Sequence, residues 1–114
     1  MNTNEHSAVI RDDGELLGYL FQVGAETWVP CTVFGLPLAV PTTHSDAEAY
    51  LQSHGLSYLA ERWIYSKDGE QITVHIVEAS PASVTVRFID YGHPDLFGST
   101  EILRPPLTGI LALA

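Results

Sequence analysis

Four kinds of side chain in this sequence could do chemistry: five histidines, one cysteine, paired carboxylates, and the aromatic residues around Phe88-Ile89-Asp90-Tyr91-Gly92-His93. Among His6, His44, His54, His75 and His93, the nearest approach to a metal-ligand set is His44-x-Asp46 with His54 further on. If a helix starts at Ser45, His44 precedes it and His54 stands at its far end, about 15 Å away at 1.5 Å per residue. One ion cannot bridge that distance, so each histidine reads as solvated or as a helix cap. Cys31 lies on an expected strand without a nucleophile signature around it, which suits a small buried hydrophobe. Asp12-Asp13 falls in a turn, where carboxylates are common. Gly14 and Gly18 stand in a hairpin context, not between a strand and a helix, so they make no phosphate loop. No cofactor is implied, and catalysis has little support. An enzyme or metal protein built on His44, Asp46 and His93 is the rival reading, and it requires those side chains to converge.

The aromatic string is more informative. From Ser83 to Gly92, Val84, Val86 and Phe88 alternate with Thr85, Arg87 and Ile89, and Gly92 supplies a break, which predicts a strand ending in a turn. Upstream, Tyr65-Ser66-Lys67-Asp68-Gly69 places an aromatic residue before an Asp-Gly turn. Downstream, Ile102-Leu103-Arg104-Pro105 reads as a short closing strand. With FIDYGH, these segments make residues 61–106 resemble a Tudor domain, a small bent SH3-like barrel whose third strand ends close to F-I-D-Y-G-N. The resemblance implies a binding domain in which aromatic rings hold methylated arginine, with Tyr65, Phe88 and Tyr91 as walls and His93 at the family's asparagine position. Two positions differ from the pattern: Ile72 stands where a second ring is expected, and His93 is followed by Pro94. A delocalised cation loses little on leaving water if ring faces replace its hydration, at about 0.5–2 kcal/mol per well-placed ring. Read from the strand pattern alone, the same rings also suit a packed core. The resemblance leaves residues 7–60 unaccounted for.

Composition narrows the partners. With 114 residues the chain is expected to form a single domain, and 46% hydrophobic against 17% charged residues places it with folded rather than disordered proteins. The formal charge is −9, with only five Lys and Arg, whereas nucleic-acid affinity depends on cations neutralising phosphates. A basic or neutral protein or peptide partner is therefore expected, and nucleic acid is not. One cysteine cannot form an intrachain disulfide, no stretch approaches the length of a membrane span, and the start has no apolar signal core; the cytoplasm is the expected location. The apolar run from Leu107 to Ala114, with the Trp28 hairpin, offers a third role as a homodimer contact.

These residues need elements to position them. Residues 1–6 are expected to fray. Ser7–Arg11 and Glu15–Val23 read as strands, the second placing Leu17, Tyr19, Phe21 and Val23 on one face. Thr27–Phe34 reads as a returning strand that Pro30 confines to an edge or bulge. Gly35–Thr43 is a connector. Ser45-Asp46-Ala47-Glu48 reads as a capping box opening a helix to His54, with Ala47, Tyr50, Leu51 and His54 on one face and Gly55 as its stop. Leu56–Ser66 and Gln71–Ala79 read as extended, joined by a turn at residues 67–70. The expected class is α+β: mostly antiparallel sheet with one short helix, its C-terminal half a meander that the resemblance would curl into a barrel.

Overall fold

The structure, a computed structural model, describes residues 6–114, so the expectation for residues 1–5 lies outside the described residues. His6 is already paired in a strand. The fold is α+β, two antiparallel sheets and one α-helix, and the chain divides into two compact units that meet in sequence between Tyr58 and Leu59.

The first unit is a three-stranded sheet in the order β1 (His6–Ile10), β2 (Leu16–Gly24), β3 (Thr27–Cys31), covered by helix α1 (His44–His54). Val9 pairs with Gly18 and Ile10 with Leu16, which leaves Leu17 as an extra residue on β2. That bulge overturns the simple alternation expected for this strand. Leu17 and Leu20, three apart, are both fully buried with Val9, Ala47 and Leu51, while Tyr19 and Phe21 gather with His6 elsewhere, at ring separations of 5.8 and 5.5 Å from the imidazole. Gly18 is required by proximity: a Cβ there would lie 2.2 Å from the Cys31 carbonyl oxygen.

Pro30 sits on the edge strand, as its missing N–H demands. Beyond β3 the chain turns at Thr32, whose buried hydroxyl accepts from the Phe34 and Leu36 amides at 3.3 and 3.0 Å, so the strand ends at Cys31 and not at Phe34. The connector returns along β3, bonding Leu38 to Pro30 and exchanging two bonds between Thr42 and Trp28. Helix α1 starts one residue earlier than the sequence suggested. Its cap is Thr43, whose Oγ1 accepts from the Asp46 amide at 3.1 Å, because Ser45 is already inside the first turn. Ala47 and Leu51 are buried, Tyr50 is half-buried, and His54 is exposed, stacked on Tyr50 at 4.0 Å and donating through Nδ1 to the Tyr50 carbonyl. Residues 57–60 form a 3₁₀ turn and not the extended chain expected. This turn buries Tyr58, whose hydroxyl donates to the Leu17 carbonyl and accepts from the Val33 amide, both at 3.0 Å.

The second unit is a five-stranded sheet of β4 (Arg62–Lys67), β5 (Glu70–Ala79), β6 (Val84–Phe88), β7 (Thr100–Leu103) and β8 (Leu111–Leu113), ordered β7-β6-β5-β4-β8. Asp68 and Gly69, at φ 53° and 81°, make the two-residue turn whose twist suits a hairpin. Register brings Trp63 opposite Val74, Tyr65 opposite Ile72 and Val74 opposite Phe88, so one face of the sheet is the buried one. Arg62, Ile64, Thr73, His75 and Arg87 lie on the other. The C-terminal segment returns to pair β8 with β4. Among the described residues no ladder joins β7 to β8.

Candidate binding site

The site begins where β6 stops. Phe88 is the last ladder residue, opposite Val74, and the next bonds come from the loop itself: the Ile89 amide donates to the Thr73 carbonyl at 3.1 Å. Asp90 then caps the ladder with its side chain. Its Oδ2 accepts from the Thr73 amide at 3.1 Å and its Oδ1 from the Gly92 amide at 2.9 Å. The Thr73 amide foremost, then that of Gly92, holds this carboxyl below the usual carboxylate range. Asp90 is thus an ionised anchor for the loop, with both oxygens engaged. His93 continues the turn: its amide donates to the Asp90 carbonyl, and its own carbonyl accepts from Leu96 and Phe97. The loop closes where Gly98 donates to Phe88 and Phe88 to Ser99.

This framework projects two rings. Tyr91 is 86% exposed and Phe97 44%, and they stack with centroids 4.9 Å apart and planes inclined by 20°. Single exposed apolar side chains are ordinary, but a stacked exposed pair on a tied loop is a preorganised aromatic surface. It forms one wall of a hollow of about 470 Å³, lined also by Arg62, Thr73, His75, Ile89 and Asp90.

The four residues singled out from the sequence are not gathered into one cage. Tyr65 and Phe88 are 7% and 2% exposed, with centroids 6.0 Å apart, and they occupy the buried face by strict alternation from Trp63 and Val86. The Tyr65 hydroxyl donates to Glu101 Oε2 at 2.6 Å; burial, with that carboxylate second, pushes its pKa up to about 12. Lys67 completes the group, with Nζ 3.2 Å from Glu101 Oε1 and 5.8 Å from the Tyr65 ring centre. Tyr91 stands exposed in the hollow. His93 is half-buried, with Nδ1 3.3 Å from Glu70 Oε1, an ion pair when the imidazole is protonated. Phe97, His75 and Arg62 were not singled out. Phe97 had a readable signal, since a large ring between Pro94 and Gly98 has no strand to carry it inward.

The residues of the rival reading have other partners: His44 packs edge-on against Trp28 at 4.8 Å, and His93 faces Glu70. Among the described residues, no three His, Cys, Asp or Glu side chains converge as metal ligands would. Cys31 is buried and its thiol is pushed up to about 12 by that burial, the reverse of what activates a nucleophile. Among the described residues no helix is long and apolar enough to cross a membrane. Set against family models, curated proteins and solved structures, the chain matches none of them.

Proposed function

We propose that this chain is a non-enzymatic binding protein that takes a cationic segment of a protein or peptide partner, an arginine or methylated arginine, on the exposed Tyr91 ring. The stacked, 86% exposed Tyr91, braced by Phe97 on a loop tied down through Asp90, is the observation that carries the reading. A guanidinium over such a ring gains about 0.5–1 kcal/mol at an exposed site, so a useful affinity needs further contacts along the hollow. At low ionic strength the formal charge of −9 favours encounter with a cationic partner. Two features agree with the Tudor-like likeness: FIDYG begins on the last residue of the third strand of the C-terminal sheet, and β8 lies beside β4, as curling that sheet into a small barrel would require. The ligand surface proposed is not the family's cage; it uses Tyr91 with Phe97 and leaves Tyr65 and Phe88 in the packing.

Fluorescence anisotropy with labelled Gly-Arg-Gly peptides, unmodified, dimethylated and with alanine for arginine, tests this directly. The arginine-bearing peptides should bind saturably and lose affinity on Tyr91→Ala, with the dimethylated form tightest. Equal binding of the alanine peptide, or indifference to Tyr91→Ala, would overturn the reading. A second reading, a homodimer through the C-terminal edge, draws on β8 and the residue before it, where Leu113 and Ile110 are exposed and line, with Ile64, a hollow of about 380 Å³. Light scattering that finds a monomer at high concentration removes it.

A further inference from the structure

The outer face of the C-terminal sheet gathers cations that are far apart in the sequence. Arg62 lies directly opposite His75 on the β4–β5 ladder, and His75 directly opposite Arg87 on the β5–β6 ladder. Directly opposed residues share a face, so the three side chains stand in one row across adjacent strands, with the two arginine stems roughly 10 Å apart at two strand spacings. All three are exposed. Arg11 and Lys67 each hold a carboxylate, whereas among the described residues Arg62, Arg87 and Arg104 have no ion-pair partner, and the first two of these share the row. Two of the five Lys and Arg of a chain with 14 acidic residues are therefore spent on one row without a counter-charge. Solubility would be served better by interspersed signs, and like charges brought together across strands weaken a sheet.

The row also opens onto the aromatic hollow. Arg62 and His75 line it together with Tyr91 and Phe97, and Arg87 continues the row beyond His75 on the next strand. We infer that Arg62, His75 and Arg87 hold an anionic group, a carboxylate or a phosphate, carried by the same partner segment a few residues from the cation on Tyr91. This inference rests on the proposed function for the peptide nature of the ligand, and it defines that ligand further as a segment bearing both charges. Guanidinium forks match the paired oxygens of either anion, and the imidazole between them adds a donor. The remote acidic residues do not cancel this local attraction, because at physiological salt charges farther than about 8 Å are largely screened. Asp90 lies in the same hollow, but both its oxygens already accept backbone amides.

The experiment is a factorial peptide set: with and without dimethylarginine, and with Gln, Glu or phosphoserine three residues away, titrated against the native protein and the Arg62→Gln/Arg87→Gln double variant. Replacing Gln by an anionic residue should tighten binding to the native protein by about tenfold, the scale of a charge-assisted contact, and this gain should vanish in the double variant. The larger gain, with Glu or with phosphoserine, identifies which anion the row takes. Arginine-dependent binding indifferent to the acidic residue, or a gain that survives in the double variant, overturns the row and leaves the proposed function standing. Anion-dependent binding without need of arginine keeps the row and overturns the cation reading; no binding by any peptide overturns both. Thermal melts of the double variant, and the single His75→Gln variant with a partial loss of the gain, guard against misfolding as the cause.

Discussion

The two units divide their aromatic groups differently. In the first, up to Tyr58, one group turns inward: the Tyr58 hydroxyl ties the Leu17 and Val33 backbones, Thr32 closes its turn, and Phe34 packs against the Tyr58 ring at 6.3 Å, while His6, Tyr19 and Phe21 and the Tyr50–His54 stack stay partly or fully exposed. In the second, rings divide between a buried face and an exposed loop, and the division falls within four residues. Phe88 is the last residue of a ladder and is buried by alternation; Tyr91 follows the Asp90 cap and is free of the sheet. Residue type is nearly constant across that step while burial goes from one extreme to the other. Backbone pairing, not ring chemistry, decides which aromatic residues are buried in the sheet and which are left exposed.

That contrast breaks most visibly at its own boundary. Phe88→Ala should cost about 4 kcal/mol in urea unfolding through the cavity it leaves, whereas Tyr91→Ala should stay within about 0.5 kcal/mol. Similar costs at the two positions would erase the distinction. In the first unit, Gly18→Ala should cost about 3 kcal/mol, since the new Cβ meets the Cys31 carbonyl and, at 3.3 Å, Leu51 Cδ1. Tyr58→Phe comes next, at about 2 kcal/mol, because it removes the hydroxyl that accepts from the buried Val33 amide. The pH dependence is related. Burial pushes Cys31, Tyr58 and Tyr65 up to about 12, above ordinary values of about 8.5 for Cys and 10 for Tyr. The fold therefore favours the protonated forms: their contribution is complete below about pH 8 and is lost as pH rises towards 12. Urea midpoints measured from pH 8 to 11 should fall, and Tyr58→Phe should flatten the fall. The smallest effect separates the two caps proposed for the helix. Thr43→Ala should cost about 1 kcal/mol and Ser45→Ala much less, and the reverse order would restore the capping box at Ser45.

Much of the architecture was readable because its signals are local. Asp68-Gly69 demanded a tight hairpin, Pro30 an edge, Gly55 a helix stop, and Val84, Val86 and Phe88 one buried face. The misses have equally physical causes. A bulge at Leu17 is set by pairing with β1, and no periodicity along β2 alone reveals it. The helix cap was misplaced because Thr43-x-x-Asp46 and Ser45-x-x-Glu48 are both plausible starts, and the helix takes the first, directly after Thr42 pairs with Trp28. Around the loop, the strand end and the turn at residues 89–92 were legible from Gly92. The hollow was not, since Arg62, His75 and Arg87 come together only through strand register, and Phe97 meets Tyr91 only because Asp90 and His93 fold the loop back.

Whether the Tyr91 loop takes the proposed ligand is decided by a proton–nitrogen NMR titration of the labelled protein with a dimethylarginine peptide. Saturable shifts confined to the amides of residues 73–75 and 89–98, abolished by Tyr91→Ala, are the predicted result. No movement at millimolar peptide, or shifts centred elsewhere that survive Tyr91→Ala, would contradict that proposal.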